Sequence, residues 1–408
     1  MKILVLNGGS STLKALLCEF TGPRPPESPQ PPLWEAHAEW GWRPGLAELR
    51  AKNACGGIDE REIPIDASSA VIEPLLAALW EGPARVLQSR GEIEVVGHRV
   101  VHGGHAFTET TRVTAEVRAA IARLVEFAPE HNRLELEAIL AAEAVFGEAV
   151  PQVAVFDTAF HTSMPEKAAV YPGPREWLDA GIRRYGFHGI SHQYTSRRAA
   201  EILGRDPASL RVITCHLGNG CSLAAVRGGR SVDTTMGFTP IEGLMMGTRS
   251  GSIDPGILIY LVRHRGFRAD QLDHTLNKES GLKGVSGISG DMREIQAAME
   301  AGNPRARLAF EVFVHRLCRE IGGMLASLGG LDALVFTAGI GENSPLVREQ
   351  VCRQLEFLGL KLDPQKNVAS PRDEDIAAPD SGVRVLVIHT EEDWEIAREC
   401  HRLALAGW

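Results

Sequence analysis

Several charged residues of this chain stand in glycine-rich turns or at the ends of apolar runs, where a side chain can reach a ligand. Arg99 and His102 lie in G-H-R-V-V-H-G-G, Asp157 and His161 in V-F-D-T-A-F-H-T, and His188 in Y-G-F-H-G-I-S-H. Arg249 lies in M-G-T-R-S-G, and Asp291 and Arg293 in G-I-S-G-D-M-R. Glu391, Glu392 and Asp393 sit between the last apolar run and the closing helical segment. This set suits phosphoryl transfer. That reaction asks for positive charge spread around the moving group and a metal held by oxygen ligands, with little covalent work by the protein. Arginine's planar fork fits phosphate and carboxylate alike, and carboxylate and amide oxygens fit Mg2+. No histidine pair has H-E-x-x-H spacing and no C-x-x-C pair exists, so zinc is not expected. His102, His161 and His192 read as hydrogen-bonded structural histidines.

Three glycine turns could cradle phosphate. In V-I-T-C-H-L-G-N-G-C-S-L-A-A-V an apolar run stops at His216, Gly218 and Gly220 flank Asn219, and a second run starts at Ser222. This reads as strand, tight turn, strand. Glycine has no Cβ, so its N–H can approach an anion closely. At the amino end, K-I-L-V-L-N-G-G-S-S-T-L-K repeats the pattern, with Asn7 at the strand end and Lys14 in the returning strand. The G-x-x-x-x-G-K-[ST] spacing is absent, which argues against a P-loop. In L-V-F-T-A-G-I-G-E-N-S a strand ends at Phe336 and Gly339 and Gly341 open toward a helix, with Ser344 as N-cap and Pro345 at its first position. A glycine turn feeding a helix start is an anion site by geometry.

These turns need a scaffold. At 408 residues the chain predicts two domains. Hydrophobic content of 44% and charged content of 23% describe a soluble globular protein. Net charge is -9 with no basic tract, so nucleic acid is not an expected partner. The seven cysteines, at 18, 55, 215, 221, 318, 352 and 400, are scattered and odd in number, as in a reduced cytoplasmic protein. No apolar stretch is long enough to span a bilayer, and no signal-peptide pattern opens the chain.

Apolar runs predict strands at 3–6, 94–101, 152–156, 212–214, 222–226, 334–336 and 384–389. Helical patterns cover 65–88, 114–146, 191–203, 254–264 and 304–328, and a closing helix begins at Glu392. The proline-rich stretch 22–33 predicts an exposed loop. The strand–glycine turn–strand unit recurs near residues 7 and 218, which predicts two topologically similar α/β halves with a nucleotide cleft between them.

Together these motifs resemble the acetokinase family, which comprises acetate kinase with propionate and butyrate kinases as relatives. The match runs through eight motifs in the family's order and spans nearly the whole chain. The resemblance implies an α/β actin-like ATPase (ribonuclease H-like) duplicated fold. It assigns 1–157 plus 394–408 to one domain and 158–393 to the other. It implies a homodimer and reversible transfer of the ATP γ-phosphoryl group to a short carboxylate, giving an acyl phosphate and ADP. Asn7 and Glu392 would hold Mg2+, for which Mn2+ can stand in. Lys14 would approach the nucleotide phosphates, and Arg99 would bind the carboxylate. Asp157 would be the essential acid, read here as orienting because a carboxylate substrate needs no strong base. His188 and Arg249 would stabilise the transferring phosphoryl group. His216, Leu217, Gly218, Asn219 and Gly220 would surround ATP, with Asp291, Met292 and Arg293 and with Gly339, Ile340, Gly341, Glu342 and Asn343.

Two departures bear on specificity. The family's A-P-L-H-N-P reads F-A-P-E-H-N-R here, so Glu130 replaces a leucine that lines the acyl pocket with residues matching Val101, Phe187 and Pro240. Glu130 either turns away, pairs with Arg133, or selects a more polar acid. The family's T-x-E-E reads T-E-E-D-W, which favours Glu392 as the ligand and leaves Glu391 as a one-residue slip. The competing expectations are a propionate or butyrate kinase and, from another class, a catalytically silent nucleotide sensor.

Overall fold

The apolar run after Met1 forms β1 (Lys2–Gly8), and the chain returns antiparallel as β2 (Thr12–Glu19) with Asn7 opposite Lys14. The computed structural model describes residues 1–9, 12–26, 28–41, 43–125 and 132–407. Three more antiparallel strands follow, β3 (Trp34–Trp40), β4 (Leu46–Asn53) and β5 (Ile58–Pro64). In β3 and β4 buried residues alternate with more exposed, mostly charged ones, the pattern of a half-covered sheet, while β5 buries none. Then come β6 (Val95–Val100), the short β7 (Thr111–Arg112) and β8 (Gln152–Phe156). Strands β1, β6 and β8 run parallel, and the sheet order is β5-β4-β3-β2-β1-β6-β8-β7.

One face of this sheet is packed by Leu75, Leu76 and Leu79 and by the helix Asn132–Phe146 through Leu134 and Ala138. The closing helix Glu392–Ala406 lies against β6, where Gly97 is required. A Cβ there would sit 2.5 Å from Cys400 Sγ and 2.9 Å from Ile396 Cγ2.

The second sheet holds β9 (Arg211–Leu217), β10 (Cys221–Arg227), β11 (Arg230–Thr234), β12 (Ala333–Thr337), β13 (Glu374–Asp375) and β14 (Arg384–Val387). Its order is β11-β10-β9-β12-β14-β13. Strands β9 to β11 are an antiparallel meander, and β12 is parallel to both β9 and β14. Each sheet therefore contains the same five strands: third, second and first antiparallel, then fourth and fifth parallel to the first. The duplication expected from the two hairpins is present, and the fold is the duplicated actin-like α/β architecture.

The chain divides into units of Met1–Ala159 with Glu391–Trp408, and Phe160–Thr390. The late crossing falls at Thr390/Glu391, so Glu391, Glu392 and Asp393 go with the first unit rather than the second.

Three local expectations are corrected. Residues 65–88 are not one helix. Only Ile72–Ala77 is α-helical, after a 3-10 turn at Ser68–Val71. Gly82, at φ 73°, and Pro83 then block continuation. The segment 114–146 contains two helices, Ala115–Leu124 and Asn132–Phe146, and residues 126–131 lie outside the described residues. The third glycine turn is helical. Thr337 passes directly into the helix Ala338–Asn343, with the reversal made at Ala338 (φ 64°). Ser344 is the N-cap of the next helix, Pro345–Gln354, accepting from the Val347 N–H, with Pro345 first in the helix as expected.

Candidate active site

In the first unit, functional side chains gather where β1, β6 and β8 end. Asp157 follows β8 and is fully buried. Arg99, near the end of β6, reaches it with two hydrogen bonds, Nε to Oδ1 at 3.2 Å and Nη2 to Oδ2 at 2.6 Å. Its Nη1 donates to Asn7 Oδ1 at 3.2 Å. Burial works against the Arg99 charge, but Asp157 and Glu392 outweigh it and keep the guanidinium protonated. The Asn7 amide donates in turn to Asp393 Oδ1 at 2.6 Å. Asp393, not Glu392, is therefore the acid hydrogen-bonded to Asn7, while Glu392 lies close enough to act on Arg99 by its charge. Burial raises the pKa of Asp393, and Lys14 on β2 opposes that. A planar cation, an amide and two carboxylates at one strand end can bind a small carboxylate and a phosphate-bound metal.

Behind this cluster, Glu135 in the helix Asn132–Phe146 is buried, and its Oε2 accepts the Val101 N–H at 3.0 Å. Burial pushes its carboxyl up to about 8. Val101 is itself buried. Glu130, expected beside it, lies outside the described residues, as do Ser10 and Ser11 of the first glycine turn.

In the second unit, β9 and β10 form the expected hairpin, closed by Leu217 opposite Cys221. Gly220 is there because two side chains crowd it. A Cβ would lie 3.2 Å from Arg249 Nη1 and 3.4 Å from His188 Cε1 and Nε2. His188 is held in the left-handed region (φ 56°) at the start of the helix Gly189–Leu203, a strained backbone for a non-glycine residue. Its Nδ1 is paired with Ser222 Oγ at 2.9 Å, and its ring stacks on His216 with centroids 4.1 Å apart. Ser222 also meets His192 Nε2 at 2.8 Å, and Ser191 Oγ meets His216 Nδ1 at 2.8 Å. Burial lowers the pKa of His192 far below that of a free imidazole and that of His161 to about 4. Both are hydrogen-bonded neutral histidines, as their sequence context suggested. Arg249 Nη1 also donates to Pro240 O at 3.3 Å. A cation and an imidazole fixed over one glycine can meet the oxygens of a transferring phosphoryl group.

A pocket of about 510 Å³ opens beside the same hairpin. Gly218, Asn219, Asp291, Met292, Arg293, Gly339, Ile340 and Asn343 line it, all expected from the sequence. Gly290, Gln296 and Ser344 line it as well. Gln296 stands in the same helix as Met292 and donates to Ser344 Oγ at 2.6 Å, so helical spacing was the available signal. Asp291 caps that helix and holds Arg293 in a two-oxygen grip. His216, Leu217, Gly220, Gly341 and Glu342 are not among the lining residues. The Glu342 carboxylate turns to the backbone. It accepts from Ala338 N at 2.8 Å and Thr390 N at 3.2 Å, and pairs with His389 Nδ1 at 2.6 Å. Burial opposes its charge, but His389 and these N–H groups keep it ionised.

The family model described as the acetokinase family matches residues 2–398. The chain belongs to the acetokinase family. Acetate kinase of Cyanothece sp. is 58% identical over 403 residues, covering 99% of this chain and 98% of that protein. Acetate kinase of Gloeobacter violaceus is 59% identical over 400 residues, 98% of each. Among solved structures, Porphyromonas gingivalis acetate kinase superposes with a TM-score of 0.89 at 40% identity, covering 99% of each chain. A propionate kinase from Francisella tularensis follows at 0.88 and 39%, covering 98% of this chain and 99% of that one. For this acetokinase-family chain both hairpins, the Arg99–Asp157 pair and the His188–Arg249 pair fall within the matched span.

Proposed function

We propose that this chain is an acetate kinase that transfers the γ-phosphoryl group of ATP to acetate, reversibly, giving acetyl phosphate and ADP. What carries the reading is the convergence of Arg249 and His188 over Gly220, on the hairpin that also lines the pocket. The pocket volume suits a nucleotide. Arg99, oriented by Asp157, holds the acetate carboxylate. One acetate oxygen attacks the γ-phosphorus in line, an O–P bond forms, and the bond to the β-phosphate oxygen breaks with ADP leaving. Acetate is already ionised at neutral pH, so no proton needs removing and Asp157 acts by orienting and neutralising Arg99. His188 and Arg249 meet the charge that spreads over the equatorial oxygens. The family resemblance assigns the contacts with the acetate methyl to Val101, Phe187 and Pro240.

Among the described residues no group of three or more His, Cys, Asp or Glu could hold a metal alone. That fits Mg2+, which takes one or two protein oxygens and completes its shell with water and phosphate. Asn7 with Glu392 or Asp393 would hold it, and it would neutralise charge on the nucleotide phosphates.

The helix Pro255–Arg265 buries none of its residues, and Ile257, Ile259, Tyr260 and Val262 are each about half exposed, at 47%, 52%, 49% and 49%. Such an apolar face supports a homodimer contact. No helix among the described residues is long and apolar enough to cross a membrane. The seven free cysteines accord with a cytoplasmic setting.

The test is hydroxylamine trapping of the acyl phosphate with ATP and with acetate, propionate, butyrate or glycolate, with and without Mg2+. Mg-dependent product, greatest with acetate, is expected. Greatest turnover with propionate or butyrate would move the chain to that branch of the family. ATP binding without product from any acid would make it a sensor.

A further inference from the structure

The first turn of the helix Asn132–Phe146 grips the backbone that follows Arg99. Asn132 and Glu135 are 0% and 2% exposed. Asn132 takes both backbone groups of His102. Its Oδ1 accepts the His102 N–H at 3.2 Å, and its Nδ2 donates to His102 O at 3.1 Å. Glu135 Oε2 accepts the Val101 N–H at 3.0 Å, while Glu135 Oε1 is buried with no hydrogen-bond partner among the described residues. A carboxyl in this position is costly unless it holds something in place. Its neighbours indicate what. The charges of Arg99 and Asp157 act on it directly, and its Cγ would lie 3.7 Å from a Cβ on Gly8, the last residue of β1. Strand alternation puts Arg99 and Val101 on the same side of the β6 extension. Asp157 is tied to that extension by its own N–H, which donates to Val100 O at 2.9 Å. Fixing the Val101 and His102 peptides therefore fixes the base from which Arg99 reaches Asp157.

We propose that Asn132 and Glu135 form a clamp on the end of β6, and that Glu135 is a positioning residue for the carboxylate substrate. This rests on Arg99 binding that carboxylate. Glu135 touches no reacting atom. It sets where the Arg99 fork and the Val101 side chain stand. A clamp of this kind acts on the acid's affinity and leaves the nucleotide's affinity alone.

The test compares the full-length wild type with Glu135→Gln, Glu135→Asp and Glu135→Ala, each checked for folding by circular dichroism. Gln keeps a carbonyl acceptor at the same reach, Asp falls one carbon short, and Ala has no acceptor. KM for acetate is expected to rise at least fivefold in the Asp and Ala variants, with KM for ATP within twofold. The Gln variant is expected to return both within twofold of wild type. If the Ala variant does not fold, the Asp variant decides by the same criterion. Unchanged KM for acetate, an equal rise in both KM values, or a Gln variant as impaired as the Asp variant would overturn the clamp. Saturation-transfer NMR on the acetate methyl reads the same site without turnover. A wild type that binds acetate but makes no acetyl phosphate would sink the kinase reading. Weaker acetate binding in the Asp variant would still support the clamp, and unchanged binding would overturn it.

Discussion

The Asp157 carboxylate receives both ends of the Arg99 fork, Nε on one oxygen and Nη2 on the other, while Arg99 Nη1 stays on Asn7. This two-point grip fixes the plane of the guanidinium as well as its position. A substrate carboxylate meeting Arg99 would find a cation already turned to one orientation.

Asp157→Asn is therefore expected to lower kcat for acetyl phosphate formation by about 100-fold or more, since orientation and charge are lost together. KM for ATP should stay within about threefold. Near-normal turnover in a folded Asp157→Asn protein would remove Asp157 from the mechanism. The stability cost of breaking a buried pair on one side is about 3–5 kcal/mol, so a urea unfolding curve belongs beside the kinetics.

Gly220→Ala tests the other constellation. The new Cβ would stand 3.2 Å from Arg249 Nη1, which must give by a few tenths of an ångström, and 3.4 Å from the His188 ring, at ordinary contact. Misplacement on that scale should lower kcat by about tenfold while nucleotide binding, read by fluorescence or calorimetry, changes little. Unchanged kcat would mean that Arg249 does not need its present place.

These two sites differ in how legible they were. Each hairpin is local in sequence. A strand, a glycine pair and a returning strand specify themselves, and the recurrence near residues 7 and 218 was enough to expect the duplicated fold. The pocket residues before and after Asp291 and Gly339 were likewise visible as motifs. Glu342 was expected among them, but its turn to the backbone and to His389 was not, because that depends on Ala338 taking a left-handed turn that no local pattern marks in an alanine. Glu135 and Asn132 were missed because their partners, Val101 and His102, are some thirty residues away and are peptides rather than side chains. Strands β3 to β5 escape a search for continuous apolar runs. Alternation, as in W-E-A-H-A-E-W, marks β3 and β4, while β5, with no buried residue, carries no such signal. Proline and glycine at 74, 82 and 83 were the visible reason why 65–88 could not be one helix.

Buried titratable groups give stability a maximum in pH. His98 and His161 are held near 4 by burial, and burial holds His192 well below the ordinary imidazole value. Unfolded, each imidazole titrates near 6.5. As pH falls from about 6.5 toward 4 the unfolded chain takes up protons that the folded protein refuses, so stability drops by up to about 1.4 kcal/mol per pH unit for each group. Glu135 has the opposite sign. Its folded pKa is raised to about 8 by burial, so the folded state holds a proton that the unfolded state releases above about 4.5. That contribution is lost as pH rises toward 8. Urea midpoints measured from pH 5 to 9 should fall on both sides, and Glu135→Gln should flatten the fall between about 6.5 and 8 and steepen the fall below about 6.5, where Glu135 opposes the histidines. An identical alkaline slope in that variant would place the titration elsewhere.

Arg348 offers a test of the pocket wall. It is fully buried and faces oxygen atoms without formal charge. Its Nη1 donates to Gly341 O at 2.9 Å and Glu342 O at 2.7 Å, its Nε to Asn367 Oδ1 at 2.8 Å, and its Nη2 to Asn367 O at 2.7 Å. The two carbonyls it caps belong to the helix Ala338–Asn343, whose exposed residues line the pocket. Burial lowers the guanidinium to about 10, still charged at neutral pH. Arg348→Met keeps much of the volume and strands those carbonyls, each at a cost of about 1–3 kcal/mol. The helix should loosen, and KM for ATP should rise several-fold with KM for acetate unchanged. Arg348→Lys, which keeps the charge but not the fork, should fall between. Equal losses for both substrates would mean that Arg348 supports the unit as a whole rather than the nucleotide wall.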